Sequence, residues 1–209
     1  MSTRIVKDFG NGHYIVAFGE DRVYTTLTSS GDVVAGWLDL IYRIHRRRLD
    51  TLVVGLDVEW RPAQSRGAAP GPVALLQVCV GRRCLVFQIL RADYVPDSLF
   101  DFLADARLTF VGVGVGADAQ KLGAHYGLEV ANTVDLRYFA ADVLRKPALR
   151  RAGLQGVVWQ VMGVWPEKPH HVQVSAWDAQ RLTLEQLQYA CADAFASFEV
   201  GRRLYDGVY

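Results

Sequence analysis

Residues 52 to 60 read Leu-Val-Val-Gly-Leu-Asp-Val-Glu-Trp, and no other stretch of the chain constrains its fold as strongly. A nearly unbroken apolar run of this length is the pattern of a strand covered on both faces, which requires helices on either side of a sheet. Two carboxylates interrupt it. Side chains alternate along a strand, so Asp57 and Glu59 project to the same side, ~7 Å apart along the chain. Left unpaired in an apolar strand, they are costly through desolvation and mutual repulsion. A divalent cation removes both penalties, as would an arginine partner or a nearby helix that the strand end caps.

The surrounding elements are legible from periodicity and turn chemistry. Asn11-Gly12-His13 separates Ile5-Val6 from residues 14–18, a strand, turn and strand, and a further strand lies near 23–28, so the chain opens with a β preface. From Asp32, Val33, Val34, Trp37, Leu38, Ile41 and Ile44 recur at helical spacing up to the run Arg46-Arg47-Arg48. After the core strand comes a Gly/Pro/Ser-containing loop, 61–72. Residues 73–80 and 84–87, joined by a tight turn around Gly81, predict an antiparallel hairpin. A helix is expected over 97–103, a strand over 109–113 and a helix over 117–126. Beyond Asp135 the pattern is wholly helical, near 136–144 and 154–162. A Pro/His-rich loop follows at 165–172, then a long helix from Thr183, whose spacing to Gln186 is that of a capping box. The mixture predicts an α/β or α+β sandwich.

Three more side chains join the carboxylate pair. Tyr189 and Asp193 stand four apart in a largely apolar helix, hence on one face, where a hydrogen-bonded structural pair and a functional pair are both open readings. Val111-Gly112-Val113-Gly114-Val115-Gly116-Ala117-Asp118 supplies a carboxylate where a strand gives way to a helix, and strand ends of open α/β sheets are where sites tend to lie. Gly112, Gly114 and Ala117 also match the outline of a dinucleotide fingerprint, with Asp135 nearly in the position of its acidic residue. That fingerprint belongs on the first strand of its fold, whereas here other strands and a hairpin precede it.

The strand LDVEW, the segment VGVGVGADAQKL and the helix YACADAFASFEVG, in this order and spacing, resemble the three exonuclease motifs of the Werner-like DEDDy family. The similarity runs from Leu52 to Leu204 and includes VALLQVCV and Ser175-Ala176-Trp177. The chain looks most like the short plant members, including the RISC-interacting clearing exoribonucleases. The resemblance implies an RNase H-like (DnaQ-type) α/β fold, a mixed five-stranded sheet with helices on both faces. A single 3′-5′ exonuclease domain over 1–209 is expected, with an N-terminal β extension at 1–30 and a catalytic core at 50–206.

It also implies two-metal phosphodiester hydrolysis from a 3′ end. Asp57 would bridge both ions, Glu59 and Asp193 would hold the water-bearing ion, Asp118 would support the second, and Tyr189 would orient the nucleophilic water. Mg2+ or Mn2+ suits an all-oxygen site. The implied partners are single-stranded nucleic acid, RNA favoured over DNA, further copies of the chain in a homo-oligomer such as a hexamer, and a silencing complex. A Werner-like DNA exonuclease and a non-catalytic nucleic-acid-binding protein on the same fold are the alternatives. Asp118 is flanked by Ala117 and Ala119 where relatives often carry bulkier or polar neighbours, so the resemblance does not carry over their secondary substrate contacts at that point.

Composition narrows the partners. A formal charge of +1 argues against coating long duplex, which needs a broad basic face. Among basic residues, Arg145, Lys146, Arg150 and Arg151 are the candidates for local phosphate contacts. Trp60 is a candidate stacking surface. His170 and His171 receive no catalytic role, and His125 is expected to meet carbonyls at a helix end. The three cysteines, Cys79, Cys84 and Cys191, match neither a disulfide framework nor a metal knuckle. With no apolar stretch of membrane-spanning length and no signal-peptide layout at the start, an intracellular location is expected, cytoplasmic or nuclear, with no membrane partner.

Overall fold

A computed structural model describes residues 3–60 and 71–209. Most of the expected loop at 61–72 lies outside the described residues. The chain builds one mixed sheet of eight strands in the order β1-β2-β3-β6-β5-β4-β7-β8. The strands are β1 (Thr3–Gly10), β2 (His13–Phe18), β3 (Asp21–Thr28), β4 (Val53–Trp60), β5 (Val73–Val80), β6 (Arg83–Phe87), β7 (Thr109–Gly112) and β8 (Thr133–Asp135). The run that bears the two carboxylates is β4. It lies deep in the sheet, antiparallel to β5 and parallel to β7.

The expected five-stranded mixed sheet is the portion β6-β5-β4-β7-β8, as in RNase H-like folds. Its last strand, β8, has only three residues, too few to show a period, and was not anticipated as a strand. The N-terminal β segment is an antiparallel meander that prolongs this sheet through parallel pairing of β3 with β6, Tyr24 opposite Arg83 through Thr28 opposite Phe87. Its first turn uses Asn11 and Gly12, both at positive φ (53° and 79°), the backbone that a tight primed hairpin turn demands.

Among the described residues, seven α-helices cover the two faces: α1 (Gly31–His45), α2 (Asp97–Ala104), α3 (Val115–Tyr126), α4 (Leu136–Val143), α5 (Leu154–Met162), α6 (His170–Gln173) and α7 (Leu184–Asp206). Alternation along β4 sorts them. Val54, Leu56 and Val58 face a core filled by Trp37, Leu38 and Ile41 of α1, Phe102 of α2 and Leu122 of α3. The opposite face of the sheet is packed by α4, α5 and α7. Thr183 and Gln186 form the reciprocal capping box that their spacing predicts, fixing where α7 starts.

Helix α7 lies unusually close to the sheet. A side chain at Gly55 would collide with the Ala194 carbonyl oxygen and come within 2.7 Å of the Phe198 nitrogen. Glycine on β4 and alanine on α7 therefore let backbone approach backbone. The helix also reaches over the N-terminal meander, where Phe18 meets Phe195 edge-on at 5.4 Å between ring centroids and Thr25 Oγ1 lies 3.1 Å from Cys191 Sγ. The meander is thus part of the same core, while β1 remains an edge strand that exposes Val6 and Phe9. Among the described residues, no helix is long and apolar enough to cross a membrane.

Candidate active site

Because β4 alternates, the residues it turns toward α7 are Val53, Gly55, Asp57 and Glu59. The close seat at Gly55 brings Asp193, one residue before Ala194, over the two strand carboxylates. Ligand oxygens of Asp57, Glu59 and Asp193 all lie within 4.8 Å of one another. Tyr189 is one turn back on the same helix, as i, i+4 spacing requires. Asp118 comes from the first turn of α3, which starts immediately after β7 and Gly114, a residue in the left-handed region at φ 79°. All five side chains line one cleft of about 730 Å3, together with Trp60, Val113, Lys168, His170, Gln173, Val174 and Trp177. That volume matches a small-ligand site.

The electrostatics follow from burial and crowding. Asp57 is pushed well above the usual carboxylate range by desolvation and then by repulsion from Asp193 and Asp118. The same two causes, burial first and Asp57 second, raise Glu59 to about 9, and burial raises Asp118 to about 6. Asp193 is raised by burial as well, although Lys168 opposes the shift. Burial and the Asp193 charge push the Tyr189 hydroxyl up, so it is a neutral donor at physiological pH. The covering interactions are partial: Asp57 Oδ1 accepts the Val58 backbone N–H at 2.9 Å, Asp118 stands 3.9 Å from Lys121 Nζ, and Asp193 pairs with Lys168. Clustered, half-shielded carboxylates of this kind could hold a hard divalent cation.

Lys168 was not foreseen. Its ammonium group makes a 2.5 Å ion pair with Asp193 and sits 5.0 Å from the Tyr189 ring centroid. Burial depresses its pKa, but the Asp193, Tyr189 and Asp57 charges outweigh that and hold it above the usual lysine value. It lies in a loop without periodicity, and its place became visible only when the loop folded back over α7. His170 and His171 do not lie in the expected loop but open α6; His170 lines the cleft, whereas His171 pairs with Glu185 at 3.3 Å. Trp177 lines the cleft though almost wholly buried, its ring 5.6 Å from that of Tyr189 and its indole N–H donated to the Gln173 carbonyl.

Other expectations shift. The Trp60 ring does line the cleft, with Lys121 Nζ 3.4 Å from its centroid, so one face of the ring carries a cation. Arg145, Lys146, Arg150 and Arg151 do not line the cleft: Arg150 pairs with Asp142 at 2.9 Å and Lys146 donates to Gln160. His125 does not meet helix carbonyls; its Nδ1 accepts the Val73 backbone N–H, tying the end of α3 to the start of β5. The dinucleotide outline fails on geometry. Asp135 accepts from the Gly114 and Arg137 backbone and pairs with the Arg137 guanidinium at 2.6 Å, which caps α4 and occupies the carboxylate a ribose would need.

Residues 38–207 match the family described as 3′-5′ exonuclease. A 3′-5′ exonuclease of Arabidopsis thaliana is 31% identical over 190 residues, covering 90% of this chain and 65% of that protein. The mouse bifunctional 3′-5′ exonuclease/ATP-dependent helicase WRN is 30% identical over 162 residues, 77% of this chain and 11% of its own length. The chain therefore spans less than two thirds of these relatives. Among solved structures, the EXD2 exonuclease domain soaked in Mn is 27% identical with a TM-score of 0.51, covering 87% of this chain and 88% of that one. Escherichia coli RNase D shares the fold, at a TM-score of 0.69 and 19% identity over 88% of this chain and 45% of its own.

Proposed function

The chain belongs to the 3′-5′ exonuclease family, and from that premise we propose that it is a metal-dependent hydrolase that removes nucleotides from the 3′ end of a single strand, RNA in preference to DNA. The observation that carries the reading is the convergence of Asp57, Glu59, Asp118, Tyr189 and Asp193, from β4, α3 and α7, on one cleft. Those five form the proposed catalytic set. The four carboxylates would hold the metal.

The donor set fits the ion. All four ligands are oxygens, which suits Mg2+ or Mn2+, and three of them are held close enough that each raises the cost of charging the others. The EXD2 domain, a relative of known structure, was soaked in manganese. Asp118, apart from the close trio but on the same cleft, is the reason for assigning two ions. When bound, such a pair activates the attacking water and neutralises charge at the phosphate. The Tyr189 hydroxyl orients the water. Trp60, which lines the cleft, is the candidate stacking surface for a terminal base, a contact that tolerates any sequence.

Tyr189→Phe isolates the hydroxyl. Turnover should fall by ~10², the usual loss for one positioned hydrogen-bonding group, with metal affinity unchanged. Steady-state kinetics beside a Mn2+ titration measures both; undiminished turnover reduces Tyr189 to a packing residue.

Substrate class and polarity are tested by kcat/KM for RNA and DNA oligonucleotides of one sequence, with and without Mg2+, beside blunt duplex and a 3′-blocked strand. We expect metal-dependent cleavage with RNA ahead of DNA, slow attack on duplex and none on the blocked strand. The RNA preference rests on resemblance to the short plant exoribonucleases, and the poor duplex activity on the near-neutral charge. Equal or better cleavage of DNA would favour the Werner-like reading. Cleavage of the blocked strand from its 5′ end would overturn the polarity.

A further inference from the structure

The carboxylate cluster already contains a positive charge. Lys168 Nζ is 2.5 Å from Asp193 Oδ2, with the two side chains only 19% and 7% exposed, so the pair is shielded from water. The same ammonium group lies 5.0 Å from the centre of the Tyr189 ring. It therefore covers two members of the proposed catalytic set at once, at the edge of a trio of acids whose oxygens fall within 4.8 Å. Its backbone belongs to the segment between Trp165 and α6, next to Pro169, and not to the sheet or to α7. Lysine carries a compact charge on four flexible methylenes, so its head can leave Asp193 without any movement of the elements that hold the acids.

We propose that Lys168 is the resident counter-ion of this cluster: it neutralises Asp193 until a divalent cation takes that carboxylate, and it must be displaced for the metal to bind. The inference rests on the metal-site reading given above. One ammonium group supplies a single charge to three crowded carboxylates, whereas a divalent ion supplies two and can touch several oxygens, so the exchange favours the metal. It is not free, because the broken ion pair is a buried one. The lysine thus reduces the apparent metal affinity to the fraction of molecules in which it has left Asp193. In return it keeps the metal-free protein folded around charges that would otherwise repel.

The test compares Mn2+ binding by isothermal titration, and melting with and without Mn2+, for the wild type, Lys168→Met, Lys168→Gln and Lys168→Arg. Removal of the charge should tighten Mn2+ binding by about tenfold, lower the melting temperature of the metal-free protein and enlarge the rise that Mn2+ produces. Lys168→Arg keeps the charge and should stay near the wild type in metal affinity. Should Lys168→Met fail to fold without metal, as judged by circular dichroism, Lys168→Gln carries the comparison. If the wild type binds Mn2+ and both neutral variants bind it no more tightly, Lys168 does not compete for the site and the proposal is overturned. A wild type that binds no Mn2+ overturns the metal-site reading first, and this inference with it. A residue serving only to hold the loop would weaken the fold without tightening the metal.

Discussion

Asp57→Ala and Asp193→Ala should each reduce hydrolysis to less than about one-hundredth of the wild-type rate, since each removes an oxygen ligand from the middle of the proposed metal seat. The stability outcome separates this from ordinary damage. Asp57 and Glu59 are acids whose pKa is raised by folding, so their charged forms oppose the native state. Their contribution is most favourable below the ordinary carboxylate range and is lost as pH climbs through the elevated values, about 9 for Glu59. At neutral pH and without metal, removing Asp57 takes away a repelling partner, and the melting temperature should hold or rise. Asp193 also pairs with Lys168, so its removal relieves one repulsion and strands one cation, and the melting temperature should change little. Oligonucleotide hydrolysis with Mg2+ and thermal melting of the same preparations check both halves. Retention of more than a few per cent of activity by either variant would show that residue to be no ligand.

Gly55→Ala should be the most damaging small substitution in the sheet. The new methyl would meet the Ala194 carbonyl oxygen and the Phe198 nitrogen, which belong to the α7 backbone and cannot rotate away. Overpacking of a rigid contact costs about 3 kcal/mol or more, which for a chain of this size lowers the melting temperature by ~10 °C. Activity should fall with it, because a lifted α7 carries Tyr189 and Asp193 away from Asp57. Gly36→Ala provides the control: this glycine is inside α1 with nothing within 4 Å of an added methyl, and alanine there should be neutral or stabilising by up to about 1 kcal/mol. Equal melting of the two variants would mean that α7 is not held by the close approach at Gly55.

Much of this site could be read from the chain because its chemistry breaks local rules. Carboxylates in an apolar strand, and an Asp a turn beyond a Tyr in an apolar helix, are conflicts that stand out against the elements around them. The structure brings those residues to one cleft. What could not be read were relations set by distant pairing or by loop conformation. No local pattern tells that β3 joins β6 in parallel, or that three residues at 133–135 form the far edge strand. Lys168 reaches the cleft through a loop whose path depends on what it packs against, and His170 from the start of the short α6 that follows it. Arg150 illustrates the reverse error: a basic residue in a suitable stretch of sequence, its charge already engaged by Asp142.

The reach of α7 across the whole sheet also governs how the molecule assembles. Thr25 and Cys191, which touch beneath it, are 166 residues apart in sequence, and the β3–β6 ladder likewise closes a long loop. Contacts of such separation form late and slowly, because chain entropy is lost before they return any stabilisation. The β1–β2–β3 meander and the β5–β6 hairpin are local and can form early. Asp193 cannot meet Asp57 until α7 has docked, so the proposed metal seat should be the last part of a refolding chain to assemble. Recovery of Mn2+ binding is therefore a clock for that last step, running behind any probe of the strands.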